Sequence, residues 1–359
     1  MSRSSERHVV AAIACGHGHT LALIDTGNVF GFGGDGSGSV ASRGEDYCRS
    51  PATARPVELL TAQRMTHIAA GAEVSLAINV CGEVLVWGAT AAGIAGRRES
   101  VLPAQPRKVE GVSEACAIAA GDSLYGAIDA KGKVYTWGIN AEGALGRPTS
   151  NVNERPGAIL SVPQAKQIAI GSGYMLALTD AGELYGWGSN AAGQLGLGHL
   201  SAVPEPQPVR STARLASIAT GATHALALTR NGEVLAWGSN HHGQLARTAP
   251  LYSTAPMRVA LPESIRAVAA GMHFSLALAD AGNIYGWGWN AKGQLGVGDT
   301  KDRGVPTRIP LPEHAVALAA GETHAAALTV SGLWGWGNNA AAQIGNANPI
   351  QPHPVRFFP

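Results

Sequence analysis

Two adjacent histidines, His241 and His242, form the densest pair of ligating side chains in the sequence. Imidazole nitrogens bind zinc well, but a zinc site wants three or four ligands, usually completed by cysteine or carboxylate. Neither residue type lies beside this pair, so adjacency alone does not make a metal site. The four cysteines, Cys15, Cys48, Cys81 and Cys116, form no C-x-x-C pair. They are expected to be free thiols of a reducing compartment, not a disulfide framework. Catalytic signatures are missing: there is no G-x-x-x-x-G-K-[ST], no H-E-x-x-H and no G-x-S-x-G elbow. Gly34-Asp35-Gly36-Ser37-Gly38 is glycine-rich. It opens no helix, so it lacks the aligned amides that cradle a phosphate. Separated Ser, His and Asp residues could still converge in a fold. The sequence itself points to no cofactor, no metal and no enzyme.

The elements that would position such residues are set by a repeat. Gly16, Gly71, Gly121, Gly171, Gly221, Gly271 and Gly321 each open a similar phrase; the first step is 55 residues and every later step is 50. A second glycine follows 11 residues later, and an aromatic-Gly pair closes the phrase, from Phe32-Gly33 to Trp336-Gly337. A period near 50 points to a solenoid or propeller. The seven repeats, at about 9–59, 65–110, 115–160, 165–210, 214–260, 264–310 and 314–357, fill the 359 residues as one domain.

Repeat four shows the strand pattern. Ala165–Ile170 is a β-prone run of small residues suited to a crowded inner wall, strand A. Tyr174–Thr179 alternates large and small apolar residues, strand B. Asp180-Ala181-Gly182 is a turn. Glu183–Gly188 is strand C, and Pro206–Val209 an outer strand D, where proline is tolerated. The apolar residue of strand D falls 22 positions after the tryptophan in repeats two to six. Gly and Pro interrupt every candidate helix. These patterns predict an all-β, seven-bladed β-propeller with four antiparallel strands per blade. A first strand at Val9–Cys15 and a last one at Pro352–Phe357 favour blades contiguous in sequence, with ring closure by face packing.

The net charge is +1 and charged residues make up 14%. That argues against an extensive nucleic-acid or anionic-membrane footprint. The segment Met1–His8 is followed by no long apolar run, so neither a signal peptide nor a membrane span is expected. A cytoplasmic location follows, with export lacking a cleaved signal as the alternative.

The phrase Gly-x-x-His-x-x-Ala-Leu-Thr, followed by Gly-x-Val-Tyr-x-Trp-Gly-x-Asn-x-x-Gly-Gln-Leu-Gly, resembles the repeat of the regulator of chromosome condensation family. Repeat five carries it as Gly221-Ala222-Thr223-His224-Ala225-Leu226-Ala227-Leu228-Thr229, then Trp237-Gly238-Ser239-Asn240-His241-His242-Gly243-Gln244-Leu245. The resemblance spans essentially the whole chain and implies a seven-bladed propeller; the alanine-rich, charge-poor filler suggests a bacterial member. Repeats one, two and seven depart from it: Phe32 replaces the tryptophan, Ala89–Gly96 replaces the asparagine loop, and one residue is missing between Gly332 and Trp336. The family includes a guanine-nucleotide exchange factor, a plant photoreceptor, ubiquitin-ligase modules and an enzyme inhibitor, so function must come from the site. The photoreceptor's tryptophan turn is absent here; repeat one has Gly16-His17-Gly18-His19-Thr20. Gly121-Asp122-Ser123 resembles a functional turn of the exchange factor, whose wedge and basic tail have no counterpart.

In this architecture the A–B turns and the long C–D loops share one face, where binding residues sit on a rigid scaffold. The turns supply His17, Glu73, Asp122, Met272, His273 and Glu322; the loops supply His241, His242, Trp289, Asn290 and Lys292. Aromatic anchors among them suit a protein partner, against the alternative of a merely solvated rim. His19, His224 and His324 recur at the fourth position of the phrase. Val74, Leu124, Tyr174 and Phe274 replace them elsewhere, so they are expected to be packed histidines with backbone hydrogen bonds. The reading is a non-enzymatic protein-binding propeller. Exchange on a small GTPase and inhibition of an enzyme are the alternatives.

Overall fold

A computed structural model describes residues 9–34, 39–40, 53–59, 63–88, 106–149, 153–211, 213–346 and 348–359. The loop at Gly34–Gly38, the segment Ala89–Gly96, Cys48 and the N-terminal octet lie wholly or largely outside them. Seven four-stranded antiparallel sheets form the chain, each from four consecutive strands. In blade four these are Ala165–Ile170, Tyr174–Thr179, Leu184–Gly188 and Val203–Val209, strands A to D. Strand C starts one residue later than the sequence pattern indicates and strand D three residues earlier. Each A strand packs on the A strands of both neighbours, and that of blade one touches that of blade seven, so the ring is closed. Every blade is contiguous: the last strand, Ile350–Phe358, pairs with Gly332–Asn338 of its own blade.

The core is not central. It is divided into seven apolar clusters, each shared by two adjacent blades. This is why strand B is buried on both faces in every blade. The apolar residue 22 positions after each tryptophan is buried in the same clusters, as with Val109, Ile159 and Ile309. At the closing junction Phe358 packs on Phe30 and Phe32, with ring centroids 5.3 and 5.4 Å apart. Phenylalanine at position 32 is thus matched by the phenylalanines of the last strand.

In blades four to seven the phrase-closing tryptophan ties its blade to the preceding one. The indole Nε1 of Trp187, Trp237, Trp287 and Trp336 donates to the carbonyls of Ala144, Gln194, Gln244 and Gln294, at 3.0, 2.9, 2.8 and 2.9 Å. Those acceptors sit in the asparagine loops, which are architecture. Asn190, Asn240 and Asn290 accept from Leu195, Leu245 and Leu295 through Oδ1, and the glutamine side chains close the loop from inside. Asn290 is fully buried, so the loop candidate read there is a structural residue.

The two repeated glycines serve the same junctions. Gly182 has φ +83°, a left-handed conformation that glycine adopts without penalty. Its carbonyl accepts from Leu215 of the next blade at 3.2 Å. The leading glycine needs closeness instead. A Cβ on Gly16 would run into the carbonyl oxygen of Gly71, and one on Gly321 into that of Gly16.

Candidate functional site

The residue after each leading glycine faces the mouth of the central tunnel, a cavity of about 160 Å³. Around the ring these positions read His17, Ala72, Asp122, Ser172, Ala222, Met272 and Glu322. Four sequence candidates therefore converge at the mouth. Glu73 and His273 stand one residue further along their turns, outside the lining. His17 Nε2 and Glu322 Oε2 lie 2.7 Å apart and bridge blades one and seven. Burial pushes the Glu322 carboxyl above its usual range; Asp122 adds to that and His17 opposes it.

Backbone hydrogen bonds circle the mouth. The amides of His17, Ala72 and Glu322 donate to the leading-glycine carbonyls of the next blade, Gly71, Gly121 and Gly16, at 3.2, 3.4 and 3.2 Å. Those of Ser172, Ala222 and Met272 donate one residue later, to Ala222, Met272 and Glu322, at 3.1, 3.0 and 3.0 Å.

A second group lies where blades five and six meet. The ring of His242, from a C–D loop, stacks on that of His273, from an A–B turn, with centroids 5.4 Å apart and planes 26° apart. Trp289 lies 5.9 Å from the first ring and 6.1 Å, edge-on, from the second. Two further bonds hold the group. His242 Nδ1 lies 3.0 Å from Asp302 Oδ2, whose other oxygen accepts from the Asn290 amide at 2.8 Å, and the Trp289 amide donates to the His273 carbonyl at 2.9 Å. Burial lowers the His273 pKa below the usual imidazole value, with His242 and then His241 adding repulsion. His241 and Lys292 are exposed at the tips of these loops. Sequence reasoning named each of the three rings; only the fold brings them into one patch.

The fourth-position histidines are packed, but their hydrogen bonds differ from the expectation. His19 Nε2 lies 2.9 Å from Ser75 Oγ, His224 Nε2 3.0 Å from Ser275 Oγ, and His324 Nε2 2.9 Å from Thr20 Oγ1, each across a blade junction. The hydroxyls of Ser75 and Ser275 donate to the Ser39 and Gln244 carbonyls, at 2.8 and 2.9 Å. In those two pairs the imidazole Nε2–H is therefore the donor, which fixes Nε2 as the protonated nitrogen of the neutral ring. The backbone was expected because the repeat alone does not show that position four of one blade faces position five of the next.

Cys15 is buried and Cys81 and Cys116 are exposed, all as free thiols; burial pushes the Cys15 thiol up to about 12. Among the described residues no three His, Cys, Asp or Glu are grouped to hold a metal ion. No helix there is long and apolar enough to cross a membrane.

A family model described as RCC1-like domain matches residues 99–359. Human E3 ubiquitin-protein ligase HERC2 is 35% identical over 107 residues, 29% of this chain but 2% of that protein. Human Protein RCC2 is 36% identical over 81 residues, 22% of this chain and 15% of that one. The chain thus matches only a small part of each of these relatives' lengths. Among solved structures, human WBSCR16 superposes with a TM-score of 0.80 at 24% identity, covering 92% of this chain and 93% of the other. Prp20p of Saccharomyces cerevisiae gives a TM-score of 0.77 at 23% identity, over 87% and 80%. Similarity at that identity speaks for the fold.

Proposed function

The chain belongs to the RCC1-like domain family, and from that premise we propose that it is a non-enzymatic propeller that binds a protein partner through its loop-rich face. The observation that carries the reading is the His242–His273–Trp289 patch. Three aromatic rings from two blades stand partly exposed on a rigid scaffold. Their positions are held by Asp302 and by the backbone, so little side-chain entropy remains to be lost on binding. Aromatic side chains so held are what binding hot spots are made of. The partner is to be captured from the native cell with the intact chain as bait. Replacing both Trp289 and His242 by alanine is expected to abolish capture; undiminished capture would refute the use of this face.

The exposed carboxylate of Asp122 at the tunnel mouth favours a second reading, nucleotide exchange on a small GTPase. Prp20p, which shares the fold, is described as binding Gsp1p and histones. This reading expects faster release of labelled GDP from the GTPase, with the effect lost in Asp122→Ala. Unchanged release with the wild-type chain would exclude it.

A further inference from the structure

The junction between blades three and four differs from its six counterparts. The circle of backbone hydrogen bonds around the mouth is interrupted there: the Asp122 amide makes no bond of this kind to blade four. A Cβ on Gly121 would stand 3.6 Å from the Gly171 carbonyl, against 2.6 Å or less at every other junction. The cause is visible in strand A of blade four. Its last residue is Ile170, where the other blades carry Cys15, Ala70, Ala120, Thr220, Ala270 and Ala320. The Ile170 Cγ2 methyl would lie 2.6 Å from a Gly121 Cβ, wedged between the blades. The following turn also departs from its counterparts, with Gly173 at φ +73°.

A cleft of about 320 Å³ opens at this junction on the loop-rich face. That is the low end of the range for ligand pockets, about 300–1,000 Å³. Leu124, Ile139 and Ala141 give it an apolar wall; among the described residues Asp122 and Glu142, both exposed, are its charged residues and no basic side chain lines it. Asp122, Gly171 and Ser172 also line the tunnel mouth, so the cleft runs into the face already assigned to the partner.

We propose that this cleft receives a lysine or arginine side chain of the protein partner. The aliphatic stem lies along Leu124, Ile139 and Ala141, and the cation sits at the rim between the carboxylates of Asp122 and Glu142. A long basic side chain is the residue type that combines an apolar stem with a charged tip. An anion has no counter-charge here, and an acidic side chain would be repelled. The inference rests on the protein-binding reading above and adds a specificity pocket two blades away from the aromatic patch.

The test uses the full chain with labelled isoleucine methyl groups and two capped tripeptides, acetyl-Ala-Lys-Ala-amide and its norleucine isostere. The lysine peptide is expected to shift the Ile139 δ-methyl resonance at millimolar concentration, and the norleucine peptide to do so at least about tenfold more weakly. Asp122→Asn/Glu142→Gln should remove the preference, with an unchanged melting temperature because both side chains are exposed. Equal response to both peptides, no response to either, or full response in the double variant would overturn the proposal. Trp289→Ala is expected to leave the peptide response intact while losing the captured partner, so failure of the pocket and failure of the face are read separately.

Discussion

Thr20 Oγ1 and His324 Nε2 lie 2.9 Å apart, although the two residues are 304 positions apart in the chain. This bond links the first blade to the last. With the Glu322-to-Gly16 backbone bond and the Phe358–Phe32 contact, it converts a linear array into a ring.

Removing that link should loosen the closing junction first. His324→Phe copies what blade six has at this position, Phe274, and is expected to cost about 1 kcal/mol, one net hydrogen bond. His324→Ala adds a cavity and should cost about 3 kcal/mol. Urea melts of the two variants check the order. Equal losses would mean that the hydrogen bond, not packing, dominates the junction.

Acid should weaken the ring through the same histidines. Burial lowers the pKa of His19 to about 4 and those of His224 and His324 to about 3, from 6.5. The folded values are depressed, so this stability is complete above pH 6.5. It is lost as pH falls from there towards 3–4, because the unfolded chain takes up the protons first. At pH 5 each histidine should contribute a loss of about 2 kcal/mol. Melting temperatures from pH 7 to pH 5 should fall more steeply for the wild type than for His224→Phe. Parallel slopes would contradict the assignment.

The leading glycines offer a test of why the junctions are close. In Gly321→Ala the new methyl meets the Gly16 carbonyl, a backbone atom that cannot yield. A loss of about 3 kcal/mol or more is expected, at the upper end for single substitutions. In Gly121→Ala the obstacle is the Ile170 methyl. Ile170→Ala should therefore partly rescue it, which a double-mutant cycle in denaturant would reveal as non-additivity.

Trp287 and Trp289 are two residues apart and are expected to behave oppositely. Trp287 is fully buried and bonded to the Gln244 carbonyl; Trp287→Ala should cost about 3–5 kcal/mol of stability. Trp289 is partly exposed in the aromatic patch. Trp289→Ala should leave the melting temperature nearly unchanged and weaken partner binding by about 2 kcal/mol, roughly thirtyfold. Calorimetry of binding and of unfolding on the same samples separates the two.

Much of this molecule was legible before any coordinates. The seven units, the four strands of each, the turn at Gly182 and the sharing of one face by His17, Asp122, His242 and Trp289 follow from signals that act within a few residues. Alternation fixes which face a side chain takes, glycine marks a turn or a close approach, and proline marks a sheet edge. A 50-residue period then repeats that local information around the ring.

What the period could not convey is the identity of the neighbour across each blade junction. That His19 meets Ser75, that His242 stacks on His273, and that Ile170 parts blades three and four are relations between residues about 30 to 56 positions apart. They depend on packing two whole blades together, because each apolar cluster is shared by two blades and neither blade alone determines its shape. Local residue preferences settled the architecture; contacts between units settled where it is open and where it is tied.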